Sequence, residues 1–70
     1  MAEIKCEMTG VIDQVLITVG ATVEVGTEIV VIESMKSLIT IKSLEAGEVE
    51  EIKVSQGDFI EEGETLALLK

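Results

Sequence analysis

One side chain in this 70-residue sequence is placed like a reactive group. Lys36 lies in the run Glu33-Ser34-Met35-Lys36-Ser37, between two stretches rich in Val, Ile and Leu. A lysine amine on its four-carbon stem is mobile and strongly hydrated. Met35 beside it is a flexible apolar side chain, of the kind that adapts to a partner surface. The other candidates fall away on residue chemistry. Histidine is absent, which excludes a Ser–His–Asp or Cys–His couple, a histidine metal site and a histidine general base. Ser34 and Ser37 therefore have no base to activate them, and their value is small size and hydrogen bonding within a turn. The sole cysteine, Cys6, cannot form an internal disulfide and reads as a packing or surface thiol suited to a reducing compartment. The acidic clusters Glu48-Val49-Glu50-Glu51 and Glu61-Glu62-Gly63-Glu64 lack the fixed spacing of a cation loop and read as solvated faces. No metal site and no self-contained enzyme is expected.

Charge narrows the partners. Fourteen acids against five lysines give a net charge of −9. Such a surface repels nucleic acid and anionic membranes, and on so small a body it opposes self-association, so a monomer is expected. The N-terminal residues lack the apolar segment of a signal peptide, and no stretch is long enough to span a bilayer. The expected location is the cytoplasm, and Met1 with no linker-like composition beside it points to a free-standing protein.

The elements that must position Lys36 are legible in the glycines. All six fall into pairs 37 residues apart: Gly10 with Gly47, Gly20 with Gly57, Gly26 with Gly63. The same offset matches Ile4 with Ile41, Val15 with Ile52, Ile17 with Val54, Val23 with Ile60 and Ile29 with Leu66. Residues 1–33 and 38–70 therefore read as two copies of one unit within a single domain spanning 1–70. Each copy alternates or runs in β-branched residues, as strands do. Glu28–Glu33 reads as a strand covered on both faces. The six glycines are expected at turns, with positive φ needed at Gly20, Gly26, Gly57 and Gly63. Ile29, Ile32, Met35 and Ile39 also fit a helical spacing, but the Val and Ile content favours strand. Phe59, the only aromatic residue, is expected to cap the core; Met8 reads as a packing residue and Met1 as the initiator.

Two β units in a chain this short predict a flattened barrel or sandwich with a quasi-twofold axis. The joint, residues 34–37, then lies at the end of the domain opposite both termini. It should be a hairpin between Glu28–Glu33 and Leu38–Lys42. Tight hairpins favour Asn-Gly, Asp-Gly or Gly-containing pairs because their central residues take positive φ. Here the pair is Met-Lys, at a cost of about 1–3 kcal/mol if strained. Elsewhere the sequence places turn glycines in the usual way, so the exception points to function.

Glu33-Ser34-Met35-Lys36 resembles the attachment motif of biotinyl/lipoyl carrier domains, in which a lysine after Ala/Ser-Met is biotinylated. Val19-Gly20-Ala21-Thr22-Val23, Gly26, Gly47, Gln56-Gly57-Asp58-Phe59-Ile60 and Glu62-Gly63 extend the resemblance over nearly the whole chain. It is most similar to small biotin carboxyl carrier proteins. The resemblance implies an all-β flattened barrel of two four-stranded antiparallel sheets, without the inserted thumb of some carriers, and Lys36 on a hairpin tip. It further implies covalent biotin on Lys36, added by a biotin protein ligase, and shuttling of carboxylate between a biotin carboxylase and a carboxyltransferase. The carrier itself is then non-catalytic, since the cofactor and partner enzymes hold the chemistry.

Ser37 stands where that family usually has a second methionine, which keeps two alternatives open. One is a lipoyl carrier that passes acyl groups between enzymes, with lipoate as the cofactor. The other is an unmodified interaction module. Lipoyl carriers more often have an acidic residue just before the lysine, and Met35 at that position favours biotin.

Overall fold

The computed structural model describes residues 2–70, so the reading of Met1 lies outside the described residues. Among the described residues eight strands follow one another without a helix: β1 (Ala2–Lys5), β2 (Gly10–Val15), β3 (Thr22–Val23), β4 (Glu28–Ser34), β5 (Ser37–Lys42), β6 (Gly47–Ile52), β7 (Phe59–Ile60) and β8 (Thr65–Leu69). Accordingly, no helix among the described residues is long and apolar enough to cross a membrane. The strands form two four-stranded sheets of order β1-β8-β6-β3 and β5-β4-β2-β7, with every pairing antiparallel. Each sheet draws two strands from each half of the sequence.

The quasi-twofold axis is visible bond by bond. Gly20 N–H donates to Val49 O, and its counterpart Gly57 N–H donates to Ile12 O. Likewise Gly26 N–H reaches Ser43 O where Gly63 N–H reaches Cys6 O. Even the irregularities repeat, since the register shifts between Ile12 and Gln14 and again between Val49 and Glu51. Cys6 and Ser43 occupy matching buried niches. The Cys6 thiol donates to Met8 O at 2.8 Å and the Ser43 hydroxyl donates to Glu45 O. A thiol and a hydroxyl thus serve one structural role.

Between the sheets lies an aliphatic core of Ile12, Val23, Ile29, Val30, Ile32, Val49, Leu66 and Leu69, each essentially without solvent contact. Burying one such side chain contributes about 1.5–3 kcal/mol, and Met8 is half-buried against this cluster as expected. β4 departs from expectation. A two-layer sandwich has one interior, and β4 is covered on one face only, with Val31 half-buried and Glu33 exposed on the outer side. A register shift between Glu28 and Val30 lets the neighbours Ile29 and Val30 both turn inward.

Phe59 does not cap the core. It is 61% exposed, because strand alternation sends its neighbour Ile60 inward instead. Gly10 and Gly47 are not turn glycines either. They open β2 and β6, whereas only Gly20, Gly26, Gly57 and Gly63 take φ near +93°. What Gly10 provides is closeness, since a Cβ there would lie 2.6 Å from both Glu33 O and Ile32 Cγ2.

The hairpin and the chain ends lie at opposite ends of β5. β5 leaves the hairpin at Ser37 and ends at Lys42, and the loop that follows leads to Gly47 and Glu48, whose carbonyl accepts from Lys70 N–H. Ala2 pairs with Leu69 at that same end.

The two matched glycines should respond differently to substitution. Gly10→Ala meets backbone that cannot give, and a loss of about 1–3 kcal/mol is expected, as for overpacking. At Gly47 the nearest atoms to an added Cβ lie at 3.2 and 3.3 Å, so Gly47→Ala should stay within about 1 kcal/mol of the parent, helped by reduced unfolded-state entropy. Urea unfolding of both variants measures the difference.

Candidate functional site

Strands β4 and β5 pair along their full length, from Glu28↔Lys42 to Ser34↔Ser37. Only Met35 and Lys36 are left to make the turn, which is tighter than the four-residue joint expected from sequence. Both take positive φ, 48° at Met35 and 69° at Lys36, the signature of a primed two-residue hairpin. No other non-glycine residue among those described has positive φ. The right-handed twist of the paired strands demands this turn, and Asn-Gly would meet the demand at lower cost. The expected strain is therefore present at the expected residues.

The surroundings fix the turn's base and leave its tip free. Ser34 is half-buried, and its hydroxyl donates to the Thr9 carbonyl at 2.9 Å. The Thr9 hydroxyl in turn accepts from Glu62 N–H at 3.3 Å. This ties the hairpin to the loop before β2 and to the turn after β7. Glu33, Lys36 and Ser37 are exposed, and the Met35 side chain is 94% exposed. A thioether held in water at this level is not packing anything. The amine beside it stands clear of the body, able to enter a cleft on another protein.

Of the motif residues, the structure groups all five at one hairpin, with Ser34 acting as anchor and Met35-Lys36 as apex. The six glycines are distributed through the scaffold, with Gly10 alone packed directly against the hairpin's approach strand at Glu33. Thr9 escaped sequence reasoning. It is 25 residues from Ser34, and nothing in its neighbours marks it as a hub.

The family model described as "Biotin-requiring enzyme", for biotin/lipoyl domains, matches residues 2–69. The chain belongs to the biotin/lipoyl attachment family. Its relatives include the "Biotin/lipoyl attachment protein" of Bacillus subtilis (strain 168), 36% identical over 63 residues that cover 90% of this chain and 86% of that protein. Among solved structures, the Kluyveromyces lactis urea carboxylase superposes on 99% of this biotin/lipoyl domain with a TM-score of 0.91 at 29% identity. A single-chain, multi-domain long-chain acyl-CoA carboxylase covers 94% with a TM-score of 0.86; at 23% identity it speaks to the fold alone. The chain spans only 6% of either carboxylase. Biotin/lipoyl attachment domains hold biotin or lipoate covalently, and an exposed amine at a hairpin apex fits either acid as an amide.

If the apex is strained for the sake of its side chains, a turn chosen for geometry alone must be more stable. Replacing Met35→Asn together with Lys36→Gly should raise stability by about 1–2 kcal/mol. Thermal melting reads this as about 4–8 °C for each kcal/mol in a domain of this size.

Proposed function

We propose that this chain is a biotin carboxyl carrier, loaded at Lys36 by a biotin protein ligase and served by a biotin carboxylase and a carboxyltransferase. The observation that carries the reading is the Met35-Lys36 apex, strained and exposed in a chain of the biotin/lipoyl family. Met35 favours biotin over lipoate, since lipoyl carriers more often place an acid there. The similarity to a urea carboxylase structure supports the same direction.

Attachment asks little of this chain beyond presentation. Lys36 Nζ attacks the carbonyl carbon of an activated biotinyl-adenylate held by the ligase. The new C–N bond replaces the bond to the phosphate oxygen, AMP departs, and the ammonium's proton passes to a base on the ligase. Only a neutral amine is a nucleophile, so removal of the proton belongs to the ligase. Biotin, when bound, supplies a ring nitrogen that accepts and returns carboxylate. The chain's own part is positioning. The Ser34–Thr9 hydrogen bond and the fixed φ of Met35 and Lys36 aim the stem outward, and tethering keeps the attached group at high local concentration near each partner site. The carrier acts as a non-catalytic cytoplasmic monomer.

Intact mass after incubation with biotin ligase, ATP and biotin tests the proposal, beside a parallel reaction with a lipoyl ligase. A biotinyl increment is expected on the parent chain and none on Lys36→Ala or Lys36→Arg, both of which should keep the parent's melting profile to within about 0.5 kcal/mol. A lipoyl increment alone would move the chain to acyl transfer. Labelling that persists in Lys36→Arg would place attachment at another lysine.

A further inference from the structure

The quasi-twofold axis supplies an internal comparison for every surface position. Across the sheet β5-β4-β2-β7, one row of directly paired residues runs Leu38, Glu33, Val11, Phe59. All four point outward, with Leu38 62%, Val11 38% and Phe59 61% exposed. The row lies one residue pair below the Met35-Lys36 turn, since Ser34↔Ser37 is the pair between. Its counterpart in the other sheet, 37 residues away, includes Lys70, Glu48 and Thr22. These three are polar, and Lys70 pairs with Glu48 at 3.8 Å; the counterpart of Leu38 is Met1, which lies outside the described residues. The same fold thus places Thr22 where Phe59 stands and Glu48 where Val11 stands. Foldability therefore does not require apolar residues at positions 11 and 59, and Val11 and Phe59 with Leu38 form an exposed apolar patch beside the amine.

We infer that Leu38, Val11 and Phe59, with Met35 above them, form the docking face for the enzyme that acylates Lys36. The inference rests on the carrier reading. To put the apex amine against an acyl group inside another protein, that protein must cover the outer sheet surface nearest the apex. A flat apolar strip with one aromatic anchor suits such contact. Charge defines the rest of the partner's surface. Glu33 sits within the row and Asp58 directly precedes Phe59. Apart from Lys36 itself, the only lysine of this sheet is Lys42, at the far end of β5. The complementary surface is an apolar strip bordered by cationic side chains, which the chain's net charge of −9 would also steer toward it.

The test is steady-state biotinylation of the unmodified chain by biotin ligase, with KM for the carrier and kcat measured separately. Phe59→Thr, alone and with Val11→Thr, carries the change; Val25→Glu is the control. Val25 is 70% exposed, lies in the turn that bonds Ser43 at the far end of β5, and has Glu62 as its counterpart. Melting curves verify that each variant is folded. The single variant should raise KM at least fivefold and the double at least tenfold, with kcat within twofold of the parent and Val25→Glu unchanged. KM values within twofold of the parent in both folded variants would overturn the docking face while leaving the carrier reading intact. An equal rise in Val25→Glu would also overturn it, by showing a general surface effect. A parent chain that takes no biotin overturns both.

Discussion

Backbone hydrogen bonds running between the two copies hold the sandwich shut. Gly20 N–H donates to Val49 O in one direction, and Gly57 N–H donates to Ile12 O in the other. Because each sheet takes two strands from each half, neither half has a sheet of its own to bury. The aliphatic core between them exists only when both halves are in place. Everything else in the molecule is arranged around that mutual requirement, including the four glycines at φ near +93° that turn the chain from one sheet to the other.

This interlock explains how so small a body can carry strain at its apex. Two non-glycine residues in the left-handed region oppose folding by about 1–2 kcal/mol each. That is comparable to what one or two buried aliphatic side chains contribute, and the core holds more than a dozen buried apolar residues. Six paired positions between β4 and β5, closed by Ser34↔Ser37, leave the two apex residues no alternative conformation. The strain is thus enforced from below by the strands and the Ser34–Thr9 bond. The apex sequence is thereby released from the demands of turn propensity and free to answer to whatever must recognise Met35 and Lys36.

Much of the architecture was legible in the sequence because the duplication printed it twice. Six glycines at one offset revealed two copies, and two copies of a strand unit implied a twofold sandwich with the 34–37 joint as its outlier. The exposed apex and its positive φ followed from the missing turn glycine. What stayed hidden depends on spatial neighbours. Gly10 is needed for the backbone of Glu33 to pass within reach, which no spacing rule announces. Phe59 invited a core assignment as the only aromatic residue, yet in a two-residue strand the alternation set by Ile60 decides which way it faces. Thr9 connects segments far apart in sequence, and its exposed, ordinary surroundings carry no sign of that role.

The placement of the hairpin relative to the chain ends has a mechanical consequence. The body is 32 Å long and about 18–19 Å in its other two directions. Lys36 rides at one end of β5, while β1 and β8 meet Gly47 and Glu48 at the other. A molecule gripped at the β1–β8 end therefore works as a lever with its amine at the far tip. A modest tilt at the grip sweeps that amine through a wide arc, and the stiffness of the interlocked sheets keeps the motion from dissipating along the way.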